Sequence, residues 1–314
     1  MKIGVVGCGQ VGSASAYACV MRGIGSKIVL VDMNPALAHA QAEDILHATP
    51  FAAPTQVQSG TYEDLINADI VMIAAGVGQK NGETRLDLLK RNADVFRDII
   101  PKILKAAPNA ILMIASNPVD IMTHMAAHIA REATGHDSTR VIGSGTILDT
   151  ARFRALVAQH LGVSSHSVHG YVIGEHGDSE ILHWSGMTVG NIGLENFAAQ
   201  VQTPITQPIR AQIDDGVRNA AYRIIQGKGA TWYGIGAGMA RIAQAVINDE
   251  RAVMTCCTPM PEILGIPDVT LSLPRIISSN GVQDTMIPEL NAQDTQALKQ
   301  SAEIIKEAIT QIGF

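Results

Sequence analysis

The chain has 314 residues, of which 46% are hydrophobic and 17% charged, with a formal net charge of −6. A chain of this length suits about two domains of roughly 100–200 residues each, and it can bury a core without staples. Its acidic balance argues against a nucleic-acid partner, which needs a basic face. Its longest apolar runs, such as 70–77, fall short of the ~20 residues that span a bilayer. Cys8, Cys19, Cys256 and Cys257 show no C-x-x-C spacing, so neither a zinc site nor a disulfide framework is expected. The start of the chain carries no secretory signal pattern, and a cytoplasmic, reducing setting follows as the expectation.

Short apolar runs at 3–6, 28–31, 70–74 and 110–115 read as strands buried on both faces, with 141–143 as a further one. Helical stretches at 12–22, 37–47, 86–106 and 121–134 lie between them. Strands alternating with helices predict right-handed βαβ units and a doubly wound parallel sheet. Beyond 143 the texture changes. Residues 146–161 read as helix, 166–173 as strand, and 204–226 and 237–248 as helices. Residues 269–277 and 281–286 read as a hairpin or meander, and 294–311 as a closing amphipathic helix. The expected fold class is α/β: a Rossmann sheet over residues 1–143, followed by a mixed α+β catalytic domain over 144–314. No linker rich in Gly, Ser or Pro separates the halves, so they should pack tightly.

The run Gly7-Cys8-Gly9-Gln10-Val11-Gly12 fits G-x-G-x-x-G, between a predicted strand and a predicted helix. There Gly7 permits a tight turn and Gly9 lets backbone approach a pyrophosphate. Gly12 allows close helix–strand packing, and the helix N-terminus favours the anion. Asp32 follows 20 residues after Gly12, at the end of the next strand, where an acid accepts from ribose hydroxyls. An acid there repels a 2′-phosphate, so NAD is expected rather than NADP. The fold alone does not fix the chemistry.

Three further segments carry chemistry. They are Gly143-Ser144-Gly145-Thr146-Ile147-Leu148-Asp149-Thr150-Ala151-Arg152-Phe153-Arg154, Gly174-Glu175-His176-Gly177-Asp178-Ser179, and Gly76-Val77-Gly78-Gln79-Lys80-Asn81-Gly82-Glu83-Thr84-Arg85. With Ser116-Asn117-Pro118-Val119-Asp120 and the stretch 227–235, they resemble the L-lactate/malate dehydrogenase family over essentially the whole chain. Reducing a 2-keto acid needs a proton donor near neutral pH, and histidine is the natural one. The resemblance gives His176 that role, oriented by Asp149. It gives Arg152 the substrate carboxylate, which a planar guanidinium grips at two points. Arg85 would polarise the carbonyl when the polar loop before it closes. Asn117 would bond near the carbonyl and nicotinamide, Thr231 would line the substrate pocket, and Ile235 would pack on the nicotinamide. Val11 and Gly76 belong to the cofactor-binding segments.

In members resembling malate dehydrogenases an Arg stands where this chain has Gln79. A neutral Gln would leave a second substrate carboxylate buried and unpaired. The resemblance therefore implies pyruvate and L-lactate, with malate or a broader range of 2-hydroxy acids as the rival reading. Gly78 and Asn81 depart from the family pattern and would loosen the loop, which leaves larger 2-keto acids open. A non-catalytic NAD-binding protein could dispense with His176, Asp149, Arg152 and Arg85. Arg154 lies about 200° around the helix from Arg152, away from that pocket. In bacterial-type members, residues matching Arg154 and His169 bind fructose 1,6-bisphosphate between subunits, and the family is usually tetrameric. No resident metal is implied.

Overall fold

The computed structural model describes residues 1–78, 82 and 84–314, and Arg85 by its backbone only. Gln79 thus lies outside the described residues, as does the side chain of Arg85.

The first half alternates as expected. Strands β1 (Lys2–Val6), β2 (Lys27–Val31), β3 (Gln56–Ser59), β4 (Ile70–Ile73), β5 (Ile111–Ile114) and β6 (Val141–Gly143) run parallel. Helices α1 (Gln10–Met21), α2 (Pro35–Ala48), α3 (Arg85–Ala106) and α4 (Val119–Thr134) connect them. Alternate side chains of the strands inside the sheet enter different cores, as the pleat requires, whereas edge strand β3 (QVQS) buries only Val57. Val29, Val71, Ile73 and Leu112 pack with α3 and α4, whereas Ile28, Leu30, Ile70 and Met72 pack with α1 and α2. Burial on both faces explains why these strands are apolar throughout rather than alternating.

The second half opens with α5 (Ile147–Leu161) and continues through five two-residue strands: β7 (Val168–His169), β8 (Val172–Ile173), β9 (Ile181–Leu182), β10 (Thr188–Val189) and β11 (Ile192–Gly193). Helices α6 (Leu194–Gln200), α7 (Gln207–Arg218), α8 (Ala220–Lys228) and α9 (Tyr233–Ile247) follow. The chain closes with β12 (Ala252–Ile263), β13 (Ile266–Ser278), β14 (Gly281–Thr285) and α10 (Ala292–Gln311). The last three strands extend the parallel sheet antiparallel, giving nine strands in the order β14-β13-β12-β6-β5-β4-β1-β2-β3.

Several features depart from the sequence expectation, among them edge strand β3, whose polar QVQS run gave no strand signal. The stretch 166–173 is two strands in two different small sheets, with Gly170 and Tyr171 between them. The helix expected over 204–226 is two helices that meet at Asn219. The long strand β12 has no sequence counterpart, because Pro259 and Pro261 interrupt its apolar run; prolines are scarce inside sheets.

Candidate active site

The turn from β1 into α1 is built from what its glycines lack. Gly7 has φ +93°, and a Cβ there would lie 2.5 Å from the Ala75 nitrogen. A Cβ on Gly12 would lie 1.9 Å from the Gly7 carbonyl oxygen, so helix and strand approach as closely as backbone allows. Gly9 differs: a Cβ there would meet nothing within 4 Å. No side chain caps the N-terminus of α1, and Gln10 is exposed and Val11 half-buried there. Free N–H groups, a bare backbone and the positive end of a helix fit a pyrophosphate. Asp32 is held by the backbone N–H groups of Cys8 (2.7 Å) and Asn34 (2.8 Å), one on each oxygen. Each oxygen keeps a lone pair for a ribose hydroxyl. Gly76 and Asn117 are exposed past the ends of β4 and β5, on the side where β1 ends. Ligands of doubly wound sheets bind at these carboxyl ends. Ile235 lies in the first turn of α9 and packs on the α1–α2 core, and Thr231 is half-buried just before it. Helix α9 reaches α1 closely because a Cβ on Gly236 would already sit 2.9 Å from Ala14.

The second half contributes charge. Helix α5 places Asp149 and Arg152 on one face, and Arg152 Nη1 donates to Asp149 Oδ1 at 2.6 Å. The other carboxylate oxygen, Oδ2, lies 2.6 Å from His176 Nδ1. This register is fixed from α5. Thr146 Oγ1 donates to the Val172 carbonyl (2.5 Å), and the Val172 N–H donates to Thr150 Oγ1 (2.9 Å). The His176 loop is fastened to β13 by paired backbone bonds between Gly174 and Ser272, both 2.9 Å. No hydrogen bond to His176 Nε2, or to Arg152 beyond Nη1, is found among the described residues. Both side chains remain partly open, at 29% and 17% exposure.

Residues 1–143 match the family model for the lactate/malate dehydrogenase NAD-binding domain, and residues 146–313 match that for the α/β C-terminal domain. The chain belongs to the lactate/malate dehydrogenase family. The L-lactate dehydrogenase of Thermus aquaticus is 58% identical over 314 residues, covering 100% of both chains. That of Geotalea daltonii is 52% identical over 313 residues, again with 100% of each covered. A solved lactate dehydrogenase from a deep-sea metagenome library superposes with a TM-score of 0.95 at 36% identity, covering 100% of this chain and 99% of that one. As a member of this family the protein is an NAD-dependent oxidoreductase, and the bare glycine turn with Asp32 beside it fits that cofactor.

Family resemblance gave no role to two buried acids beside the histidine. Asp120, in the first turn of α4, accepts the backbone N–H of His176 at 2.7 Å through Oδ2. Its Oδ1 is buried without a hydrogen-bond partner, and burial pushes the carboxyl up to about 6. Glu180 is likewise buried, and desolvation together with the Asp149 charge pushes it up to about 8. His176 moves the opposite way to a buried histidine. Burial opposes its charge, but the Asp149 hydrogen bond and charge, with Asp120 and Glu180 behind them, outweigh burial and raise it to about 9. Asp149 stays below the usual carboxylate range: burial pushes it up, and the His176 bond and Arg152 pull it further down. Asp120 was missed because its partner His176 comes from a different loop and only the fold joins them; Glu180 shares the His176 loop, but its burial shows only in the fold.

Arg154 lies apart from this cluster. It lines a separate cavity of about 400 Å³ together with His166, His169 and Arg241. Its Nε donates to the Gly170 carbonyl at 2.9 Å, and its guanidinium sits over the Tyr171 ring.

Proposed function

We propose that the protein is an L-lactate dehydrogenase that interconverts pyruvate and L-lactate with NAD. One observation carries the chemistry: a single buried carboxylate, Asp149, bonds His176 on one oxygen and Arg152 on the other. When bound, the reduced cofactor supplies the hydride for the substrate carbonyl carbon. His176 gives its Nδ1 proton to Asp149 as a hydrogen bond, which leaves the Nε2 proton for the substrate oxygen. Near neutral pH the ring is imidazolium, because it holds its proton up to about 9. It therefore donates as the ketone is reduced, and Asp149 stabilises its charge until then. In the reverse direction the neutral ring accepts the alcohol proton. The remaining guanidinium N–H groups of Arg152 suit the substrate carboxylate. Arg85 opens α3 and is read as the group that polarises the carbonyl; Gln79 is read as the neutral residue that disfavours a second carboxylate. The names of the relatives favour lactate over malate as substrate.

The reading extends to a homotetramer in a reducing cytoplasm, with fructose 1,6-bisphosphate as effector. All four cysteines are free and buried, and among the described residues no helix is long and apolar enough to cross a membrane. Tyr17, Phe51 and Tyr233 are exposed around a cavity of about 530 Å³, as an interface would leave them in a lone chain. The lining of the Arg154–His169 cavity, with His166 and Arg241, suits an anion. The test is NADH oxidation with pyruvate or oxaloacetate, each with and without the bisphosphate, alongside sedimentation. Strong preference for pyruvate supports the reading, and equal turnover of oxaloacetate overturns it. A bisphosphate that changes neither pyruvate affinity nor assembly removes the effector.

A further inference from the structure

Far from the His176 loop, α4 carries two histidines one turn apart. His124 and His128 present their rings on one face, with centroids 4.3 Å apart. Asp268 reaches them from β13, 140 residues further along the chain than His128. Its Oδ1 lies 3.5 Å from His128 Nε2 and its Oδ2 lies 3.9 Å from His124 Nε2. One nitrogen of each ring and one carboxylate oxygen fall within 4.8 Å of one another.

The decisive detail is His124. Its side chain is fully buried, at 0% exposure. Its Nδ1 lies 3.0 Å from Thr270 Oγ1, and its Nε2 has no hydrogen-bond partner. A buried ring nitrogen is costly to leave unpaired, and this one is aimed at Asp268. With the Nδ1 proton given to Thr270, a lone pair at Nε2 faces the gap. Metal-ligating histidines are oriented by this kind of bond from the second nitrogen.

We propose that His124, His128 and Asp268 form a binding site for a divalent transition-metal ion such as Zn²⁺. Two imidazole nitrogens and one carboxylate oxygen would be its protein ligands, and water would complete a tetrahedral shell. Imidazole suits Zn²⁺ and its borderline neighbours. Bonds of about 2.0–2.2 Å separate tetrahedral ligand atoms by about 3.3–3.6 Å, and the three atoms already lie within 4.8 Å of one another, so the widest gap closes by at most about 1.5 Å on binding. The ion would clamp α4 to β13, with no part in the reaction at His176.

Two cations compete for the same ligands. Lys306 Nζ stands 3.9 Å from Asp268 Oδ2, and Arg131 Nη2 lies 3.1 Å from His128 Nδ1. Arg131 is exposed and free to swing away when metal takes the ring. Removing either cation should tighten metal binding.

The experiment is calorimetric titration of chelator-treated whole enzyme with Zn²⁺, repeated on Asp268→Asn, His128→Gln and Lys306→Met. Asn tolerates the left-handed backbone of Asp268 (φ +45°), and Gln keeps the helix. The expected result is one saturable site per chain. It should weaken by roughly 10–100-fold or vanish in the first two variants, and tighten in Lys306→Met. Zn²⁺ should raise the thermal midpoint of the wild type but not of Asp268→Asn. If a ligand variant fails to fold, tightening in Lys306→Met carries the test. Absence of a saturable site, or affinity unchanged in all folded variants, overturns the proposal.

Discussion

The nucleotide cradle and the ionic cluster solve opposite problems. The cradle at β1–α1 works by subtraction: Gly7 and Gly12 have no room for a Cβ, and Gly9 leaves its backbone bare. Its ligands are N–H groups that any sequence possesses, exposed by turn geometry. The cluster works by addition, gathering His176, Asp149, Arg152, Asp120 and Glu180 from three stretches of chain into a partly dry space. Damage to the cradle should therefore appear as misplaced backbone, and damage to the cluster as misplaced protons.

The largest effect should come from Asp149→Asn. Loss of the carboxylate removes the hydrogen bond and the nearest charge that hold His176 at about 9, so burial should pull the ring down toward its ordinary 6.5. Pyruvate reduction at pH 7 should drop by roughly 10⁴-fold, as when the histidine-orienting acid of a hydrolase triad is replaced by its amide. The descending limb of the pH–rate profile should move down from near 9. Stability follows the same sign. A proton held more tightly when folded stabilises fully below pH 6.5, and that gain is lost as pH rises through 9. The melting gap between wild type and variant should accordingly be widest near pH 6.5 and narrow by pH 9. A pH–rate profile unchanged in the variant would show that Asp149 does not control the His176 proton.

Next in size is a paired test of the cradle. Gly12→Ala forces a carbon against the Gly7 carbonyl, and overpacking of this kind costs roughly 1–3 kcal/mol. Its thermal midpoint should fall. Gly9→Ala has open space, so its midpoint should stay put while NADH affinity, read by fluorescence titration, weakens. If both variants melt alike and bind alike, the distinction between packing glycine and ligand-facing glycine fails.

The smallest effect belongs to Glu180→Gln. A carboxyl raised to about 8 when folded, against an ordinary 4.5, costs stability as pH rises from 4.5 to 8. Gln has no such cost. Denaturant melts at pH 5 and pH 8 should show the variant gaining on wild type with rising pH; parallel curves would place the ionisation elsewhere.

The contrast also explains what could be read in advance. Gly7, Gly9, Gly12 and Asp32 were legible because strand, turn and helix are consecutive and their spacing is local. Asp149 and Arg152 were legible as neighbours on one helical face. That His176 meets Asp149 rested on resemblance alone, since the two stand 27 positions apart with β7 and β8 between them. Asp120 and Glu180 carried no local signal, and Asp268 stands too far from His124 for any spacing rule. Strand β12 was hidden by its prolines.

The join between β6 and β12 has a consequence for any attempt to divide the molecule. The two halves share one sheet through a single paired position, Gly143 with Cys257, so neither half closes its own border. A fragment ending after β6 would present bare backbone along that strand. The complementary piece would do the same on β12 around Cys257. Exposed strand borders recruit other chains. Each half made alone should precipitate or pair with itself, and co-expression should return both to solution by restoring the seam.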